Sequence, residues 1–336
     1  MTTIPLLGDG NAGPWIRVLS IAALPGPGSA EQDFLAMLPA AASAARSGRP
    51  LVAGWLCRAA GSPLELITNA VLARPEQQGG PGHADQDAPL FPAGARTMPA
   101  SADWLAACDK LVWAPCPARQ APPLAGQSPG GRDGHQATRF ESALTAAMGR
   151  PFGWLVVAEP TDLLDDEVAE LRAQVTVLRQ HDEERFRFDT QRAERRLAEL
   201  DAFREAGLWT VRVLVGAATP EELALLAPVL AGSADLSHQP YRLGAAEAAR
   251  PLAEALVAAG TGRGPDTGVP FGATAGVLTA LAGLPRREVP GLRVLDTSYF
   301  DLTSETEGRS GTAGEPAGTP VNLGVILDAA GRPAGR

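Results

Sequence analysis

Phe152-Gly153-Trp154-Leu155-Val156-Val157-Ala158 opens the stretch that decides the fold, and Leu208-Trp209-Thr210-Val211-Arg212-Val213-Leu214-Val215 closes it. Each is a short, nearly uncharged run rich in β-formers, the pattern of a strand buried on both faces. Between them residues 161–206 contain neither Gly nor Pro, and Leu164, Val168, Leu171, Val175 and Leu178 recur in alternating steps of four and three. That is a heptad seam on a helix. Continued from Leu178, the heptad falls on Arg185 and Arg192, while a new apolar register starts at Phe186 and runs through Ala193, Leu197 and Leu200. The slip within 180–185 marks a bend or a tip.

One unbroken helix over the insert would be roughly 68 Å long at about 1.5 Å per residue, against about 23 Å for the first strand, so the insert overhangs the sheet in either case. A single helix returns the chain to the strand's starting end and makes the two strands parallel. A helical hairpin leaves it at the same end and makes them antiparallel, and the register slip favours the hairpin. The expected fold class is α/β (α+β), with mixed sheets, packed helices and a long protruding coiled-coil hairpin between two central strands.

The 336 residues suffice for a sizeable core and, by length, for two domains. Hydrophobic residues at 45% and charged residues at 20% are values of a folded chain. The net charge of −9 argues against a surface that is basic overall and wraps nucleic acid, while leaving room for a local Arg patch. Lys110 is the only lysine among 29 Lys and Arg residues, and Ala, Gly and Pro abound, a bias typical of GC-rich bacterial genomes. This has a chemical consequence. A phosphate loop of the form GxxxxGK followed by Ser or Thr needs its lysine, and Lys110 lies in Cys108-Asp109-Lys110-Leu111 with no glycine nearby. The chain therefore carries no Walker-type nucleotide site.

Cys57, Cys108 and Cys116 are few, odd in number and unevenly spaced, which indicates reduced thiols rather than a disulfide framework or a zinc cluster. No apolar run free of Pro and charge reaches the ~18 residues that span a bilayer. The short run over 18–24 is flanked by Gly and Pro and reads as a strand, not a signal peptide. The expected location is the cytoplasm.

Gly8-Asp9-Gly10-Asn11-Ala12-Gly13 matches the dinucleotide fingerprint GxGxxG by letter. That fingerprint works by opening a helix whose N-terminus meets the pyrophosphate, whereas Pro14-Trp15-Ile16-Arg17-Val18-Leu19-Ser20-Ile21 continues as a strand. The glycines are read as a turn. Ser29 and Gln32 resemble a capping box for a helix over about 30–46, bent at Pro39 and closed at Gly48. Residues 51–58 and 64–71 read as a hairpin, although Ser62-Pro63-Leu64-Glu65 can also begin a helix.

The stretches 75–100, 117–134 and 304–319, rich in Pro, Gly and small polar residues, are expected as mobile surface loops. A short helix over 103–108 and a strand over 111–114 precede a helix whose Phe140, Leu144 and Met148 share one face, with Gly149 as its stop. Thr219-Pro220-Glu221-Glu222 sets a cap, a first-turn proline and a reciprocal glutamate in sequence, opening a helix that ends near Gly232. An Ala-rich helix around 245–259, interrupted at Pro251, a Gly-rich loop over 260–268, the segment 274–284, a turn over 284–291 and strands over 292–295 and 321–327 complete the chain. The division is an N-terminal α/β domain 1–116, a Pro/Gly-rich linker 117–135, a central α/β domain 136–260 with its helical insert 161–206, and a final segment 261–336.

Familiar chemistries find no foothold. The nearest approach to a nucleophile elbow, Gly308-Arg309-Ser310-Gly311, has its second glycine one place early. His181-Asp182-Glu183-Glu184 lacks the second histidine of a zinc helix and reads as a solvated tip. Asp165 and Asp166 sit where a helix N-terminus favours acidic residues. Arg192, Arg195 and Arg196 are interleaved with Glu194 and Glu199, the pattern of a solvated, internally paired face more than of a phosphate-binding stripe. No catalytic, cofactor-binding or metal-ligating residue is assigned.

Four segments together resemble the N-terminal region of bacterial ATP-binding proteins of the HerA/FtsK superfamily, DNA-pumping ATPases that include conjugative-secretion motors. They are Pro151-Phe152-Gly153-Trp154-Leu155-Val156-Val157-Ala158-Glu159-Pro160, Gly207-Leu208-Trp209-Thr210-Val211-Arg212-Val213-Leu214, the turn over 284–291, and Val321-Asn322-Leu323-Gly324-Val325-Ile326-Leu327-Asp328. The resemblance covers roughly residues 30–336 and includes no catalytic motif. It implies an accessory region of a hexamer-forming motor, with 261–336 leading into an ATPase core downstream. ATP and Mg, and any contact with DNA, would then belong to that core. Against this stand a self-contained interaction protein that docks a partner on the insert 161–206, and an enzyme whose site is assembled from residues distant in sequence.

Overall fold

A computed structural model describes residues 15–22, 40–41, 44, 47–72, 88–89, 95–101, 103–120, 139–180, 184–234, 236, 241–244, 248–261, 271–285 and 287–295. Its strands are β1 (Ile16–Ala22), β2 (Leu51–Cys57), β3 (Glu65–Thr68), β4 (Val71–Leu72), β5 (Ala88–Pro89), β6 (Arg96–Pro99), β7 (Val112–Pro115), β8 (Ala118–Gln120), β9 (Phe152–Thr161), β10 (Leu208–Ala217), β11 (Tyr241–Leu243), β12 (Phe271–Thr274) and β13 (Arg293–Leu295). Its helices are α1 (Trp104–Cys108), α2 (Arg139–Ala147), α3 (Leu164–Leu178), α4 (Glu184–Ala202), α5 (Pro220–Ser233), α6 (Leu252–Thr261) and α7 (Ala275–Ala282). The chain divides into Met1–Val294 and Leu295–Arg336, and of the second part only Leu295 is described.

Nine strands form one sheet in the order β12-β10-β9-β2-β3-β1-β13, with β6 on β1 and β7 on β10. At its centre β9 and β10 pair antiparallel over their full length, from Leu208 opposite Thr161 to Ala217 opposite Phe152. On the other side of β9, β2 pairs antiparallel from Leu51 opposite Ala158 to Cys57 opposite Phe152. Every pairing with a described register is antiparallel, so the sheet is not the mixed one the sequence suggested. The physical reason lies in the connections, since two helices return the chain from β9 to the start of β10 at the same end. β2 and β3 form the expected hairpin. Strands from 1–116 and from 136–260 thus share one sheet.

Alternation along the central strands sorts the core into two layers. Trp55, Trp154, Val156, Val213 and Val215 face one side, where α2, α5 and α7 cover them. Val52, Leu56, Leu155, Val157 and Leu214 face the other, under α1 and α6. On this second face Gly153 and Gly216 are cross-strand partners, and a Cβ at either would meet the Trp113 ring at 2.3 or 2.8 Å. The paired glycines make a slot for the Trp113 indole, whose Nε1 donates to the Cys108 carbonyl at 2.9 Å.

On the first face, the cross-strand partners Trp55 and Trp154 donate their indole N–H groups to the last carbonyls of α7. Trp154 reaches Leu281 O at 2.8 Å and Trp55 reaches Ala282 O at 3.1 Å. A helix leaves its final carbonyls without intrahelical partners, and here two buried tryptophans supply them. Gly283 then ends the helix at φ 63°, with the Phe140 ring packed where a side chain would begin. The Thr219 cap is formed as expected: its Oγ1 accepts from Glu222 N at 3.2 Å, with Pro220 opening α5.

Several expectations are corrected. Arg96–Pro99, placed in a loop, is a strand on β1, where a proline at the strand's end needs no donor. Ala118–Gln120, placed in the linker, pairs with Tyr241–Leu243. The Ala-rich helix starts only after Pro251, because Arg250 instead exchanges backbone hydrogen bonds with Trp113, at 2.7 and 2.8 Å. β12 went unread because four residues including Gly272 offer no alternation to detect. The Gly8–Gly13 turn, most of the 30–46 helix, the 181–183 tip, the 260–268 loop apart from 260–261, the 304–319 stretch and the 321–327 strand lie outside the described residues. Among the described residues no helix is long and apolar enough to cross a membrane.

Candidate functional site

Two charged constructions stand out, one at the base of the helical insert and one on the opposite wing of the sheet. α3 and α4 are joined by ion pairs whose numbers rise on one helix as they fall on the other. Arg172 pairs with Asp201 at 3.6 Å and Arg179 with Glu194 at 2.6 Å, while Asp165 meets Arg204, in the turn just past α4. The helices therefore run antiparallel. Between them lie Val168 and Leu200, buried with Leu208 of β10, and around these pack Leu164, Leu171 and Leu197. Both apolar registers of the sequence meet in this cluster.

Arg196 is not on a solvated face, as its interleaving with glutamates suggested, but in a buried node. Its Nε donates to Glu167 of α3 at 2.7 Å, Nη1 to Glu199 at 2.8 Å and Nη2 to the Gly272 carbonyl of β12 at 2.8 Å. Thr274 donates its hydroxyl to the other Glu199 oxygen at 2.7 Å. The side chains of Arg196 and Glu199 are only 10% and 6% exposed. Gly272 permits the approach, since a Cβ there would stand 3.2 Å from Glu167 and 3.3 Å from Arg196. One guanidinium thus ties both helices of the insert to the sheet edge. Arg192 meets Asp189 at 3.4 Å, and Asp165 and Asp166 lie in the first turn of α3 as expected.

The second construction was not singled out in the sequence. Met98, Arg17 and Ile67 are cross-strand neighbours on β6, β1 and β3 and so share one face; Glu65 lies two residues from Ile67 on that face. Arg17 Nη1 pairs with Glu65 at 3.2 Å, and Arg58 bonds the other Glu65 oxygen at 3.0 Å and Asp103 at 2.9 Å. Arg17, Arg58 and Glu65 border a pocket of ≈ 100 Å³ that Ser101 also lines. Burial pulls the Arg58 guanidinium's pKa down, but hydrogen bonds and charge from Glu65 and Asp103 more than reverse this, and the net shift is upward. The Ser101 hydroxyl, then Arg58, hold the Asp103 carboxyl below its usual range. The signal available in the sequence was a lone Arg17 inside an apolar strand, which says nothing of its partners.

The chain matches no protein-family model, and no curated protein or solved structure is significantly similar to it.

Among the described residues no group of three or more His, Cys, Asp and Glu side chains could hold a metal ion. Burial pushes the thiols of Cys108 and Cys116 from 9.0 up to about 12, with Asp109 adding to the effect at Cys108. A thiol in such surroundings is not a nucleophile at neutral pH. Because the folded-state value lies above the unfolded one, the folded chain keeps these protons longer. Stability is unaffected by them below 9.0 and falls as pH rises toward about 12. Ellman's reagent at about pH 8 is expected to leave both thiols unmodified in the native protein and to modify them in urea. Native-state reaction at the rate of a free thiol would contradict this.

Proposed function

We propose that this chain is a non-catalytic accessory region of an ATP-driven DNA translocase of the HerA/FtsK type, acting in the cytoplasm and assembling copies of itself around the motor. In this reading α3 and α4 form a coiled-coil hairpin that serves as the assembly arm, and the resemblance suggests six copies. Residues 261–336 lead toward a motor core, to which ATP, Mg and contact with DNA belong. The observation that carries the proposal is the Arg196 node: it fixes the two helices to the sheet, so that a load taken by the arm passes to the core. Val177, near the end of α3, and Phe188, near the start of α4, are 56% and 46% exposed, two large apolar side chains left open to solvent on the arm.

Equilibrium dialysis of the purified chain against ATP with Mg tests the non-catalytic part. The expected outcome is no bound nucleotide; stoichiometric binding, or hydrolysis that co-purifies with the chain and persists in further-purified preparations, would overturn it. The same two exposed side chains support a second reading, a stand-alone interaction module that docks a different protein on the arm without any motor. The two part company over whether the chain binds itself.

A further inference from the structure

Arg17, Arg58 and Glu65 form a triad with an unusual charge count. Glu65, its side chain only 13% exposed, is shared by two guanidiniums, which leaves one positive charge unanswered within the triad. The balance comes from Asp103, 64% exposed and just before α1, which reaches Arg58 at 2.9 Å. An ion pair to so exposed a carboxylate is screened by water and contributes little, so the fourth charge is held far more loosely than the other three.

Donor accounting points the same way. A guanidinium carries five N–H groups and no acceptor. Glu65 takes one of Arg17's at Nη1, while Arg17 Nε is buried without a hydrogen-bond partner among the described residues. A buried charged donor without a partner is costly. The pocket beside it, ≈ 100 Å³, has Arg17 and Arg58 on its polar side and Ile67 and Met98 on its apolar side.

We propose that this pocket is a binding site for one small oxyanion, a phosphate or carboxylate head group on a short apolar stem, which takes donors of Arg17 and displaces Asp103 from Arg58. Glu65 positions both guanidiniums and stays in place. The site is independent of the assembly arm, and its failure would leave the proposed function untouched.

The test is calorimetric titration of the full chain with inorganic phosphate and, separately, with acetate, at ionic strength matched by sodium chloride. Saturable binding is expected for at least one of them, with a rise in Tm of about 3 °C at about ten times the dissociation constant. Tighter phosphate binding would assign the ligand to phosphate esters, tighter acetate binding to carboxylic acids. Asp103→Asn removes the internal competitor from an exposed position and is expected to tighten binding by about fivefold or more, the equivalent of removing one weak ion pair. Arg17→Met is expected to weaken it by about tenfold or more; Arg17→Lys, which keeps the charge without the fork, should fall between. No binding beyond the chloride control, or equal affinity in the wild type and in Asp103→Asn, would overturn the proposal.

Discussion

Arg196→Met is expected to lower the stability of the folded chain by about 3–5 kcal/mol, the cost of breaking a buried ion pair from one side. The size follows from what the change leaves behind. Glu199, 6% exposed, loses its cation and keeps the Thr274 hydroxyl; Glu167 and the Gly272 carbonyl lose the Arg196 donor as well. Methionine fills the space of the aliphatic stem, so the loss is electrostatic rather than a cavity. Pairing Arg196→Met with Glu199→Leu should recover a large part of the loss, because two uncharged side chains no longer need each other. Urea unfolding followed by tryptophan fluorescence measures both. A cost below about 1 kcal/mol for the single change would mean that the node is screened like a surface pair.

Trp154→Ala is expected to cost about 3–5 kcal/mol, the range for truncating a fully buried aromatic. Trp154 is fully buried, meets Phe140 edge-on at a centroid distance of 5.3 Å and satisfies the Leu281 carbonyl at the end of α7. Trp154→Phe separates these contributions. It keeps most of the apolar contact but leaves a helix-end carbonyl without its donor, for an expected loss of about 1–3 kcal/mol. Trp55 caps the neighbouring carbonyl, so the double Phe variant should lose a different amount from the sum of the singles. Thermal unfolding of the four proteins reads this directly. Additivity within about 0.3–0.5 kcal/mol would show two independent caps rather than one shared helix end.

What was legible in the sequence was what local pattern encodes. The two central strands carry β-formers at consecutive positions because both faces are covered, and the heptad slip after Leu178 coincides with the break between α3 and α4. The Thr219 cap was readable because its chemistry spans four adjacent residues. What could not be read depends on partners far apart in the chain. Arg196 resembles any helical surface arginine until β12, whose Gly272 lies 76 positions on, supplies its third acceptor. Trp55 reaches α7 across 227 positions. Edge strands such as β6 and β12 are short because their neighbours supply most of the order, so they carry too little periodicity to be seen in isolation. The proposed oxyanion pocket has the same character: Arg17, Arg58 and Glu65 border it from β1, from just past β2 and from β3, and Asp103 reaches Arg58 from just before α1.

Sedimentation velocity of the wild-type chain and of the Val177→Asp/Phe188→Asp variant, over a range of micromolar concentrations, bears most directly on the proposed assembly arm. Both substitutions fall on exposed apolar side chains, so Tm should be nearly unchanged. The expected result is a concentration-dependent oligomer for the wild type and a monomer for the variant at equal Tm. A wild type that stays monomeric throughout, or an oligomer that survives both charges unchanged, would contradict self-assembly through the arm.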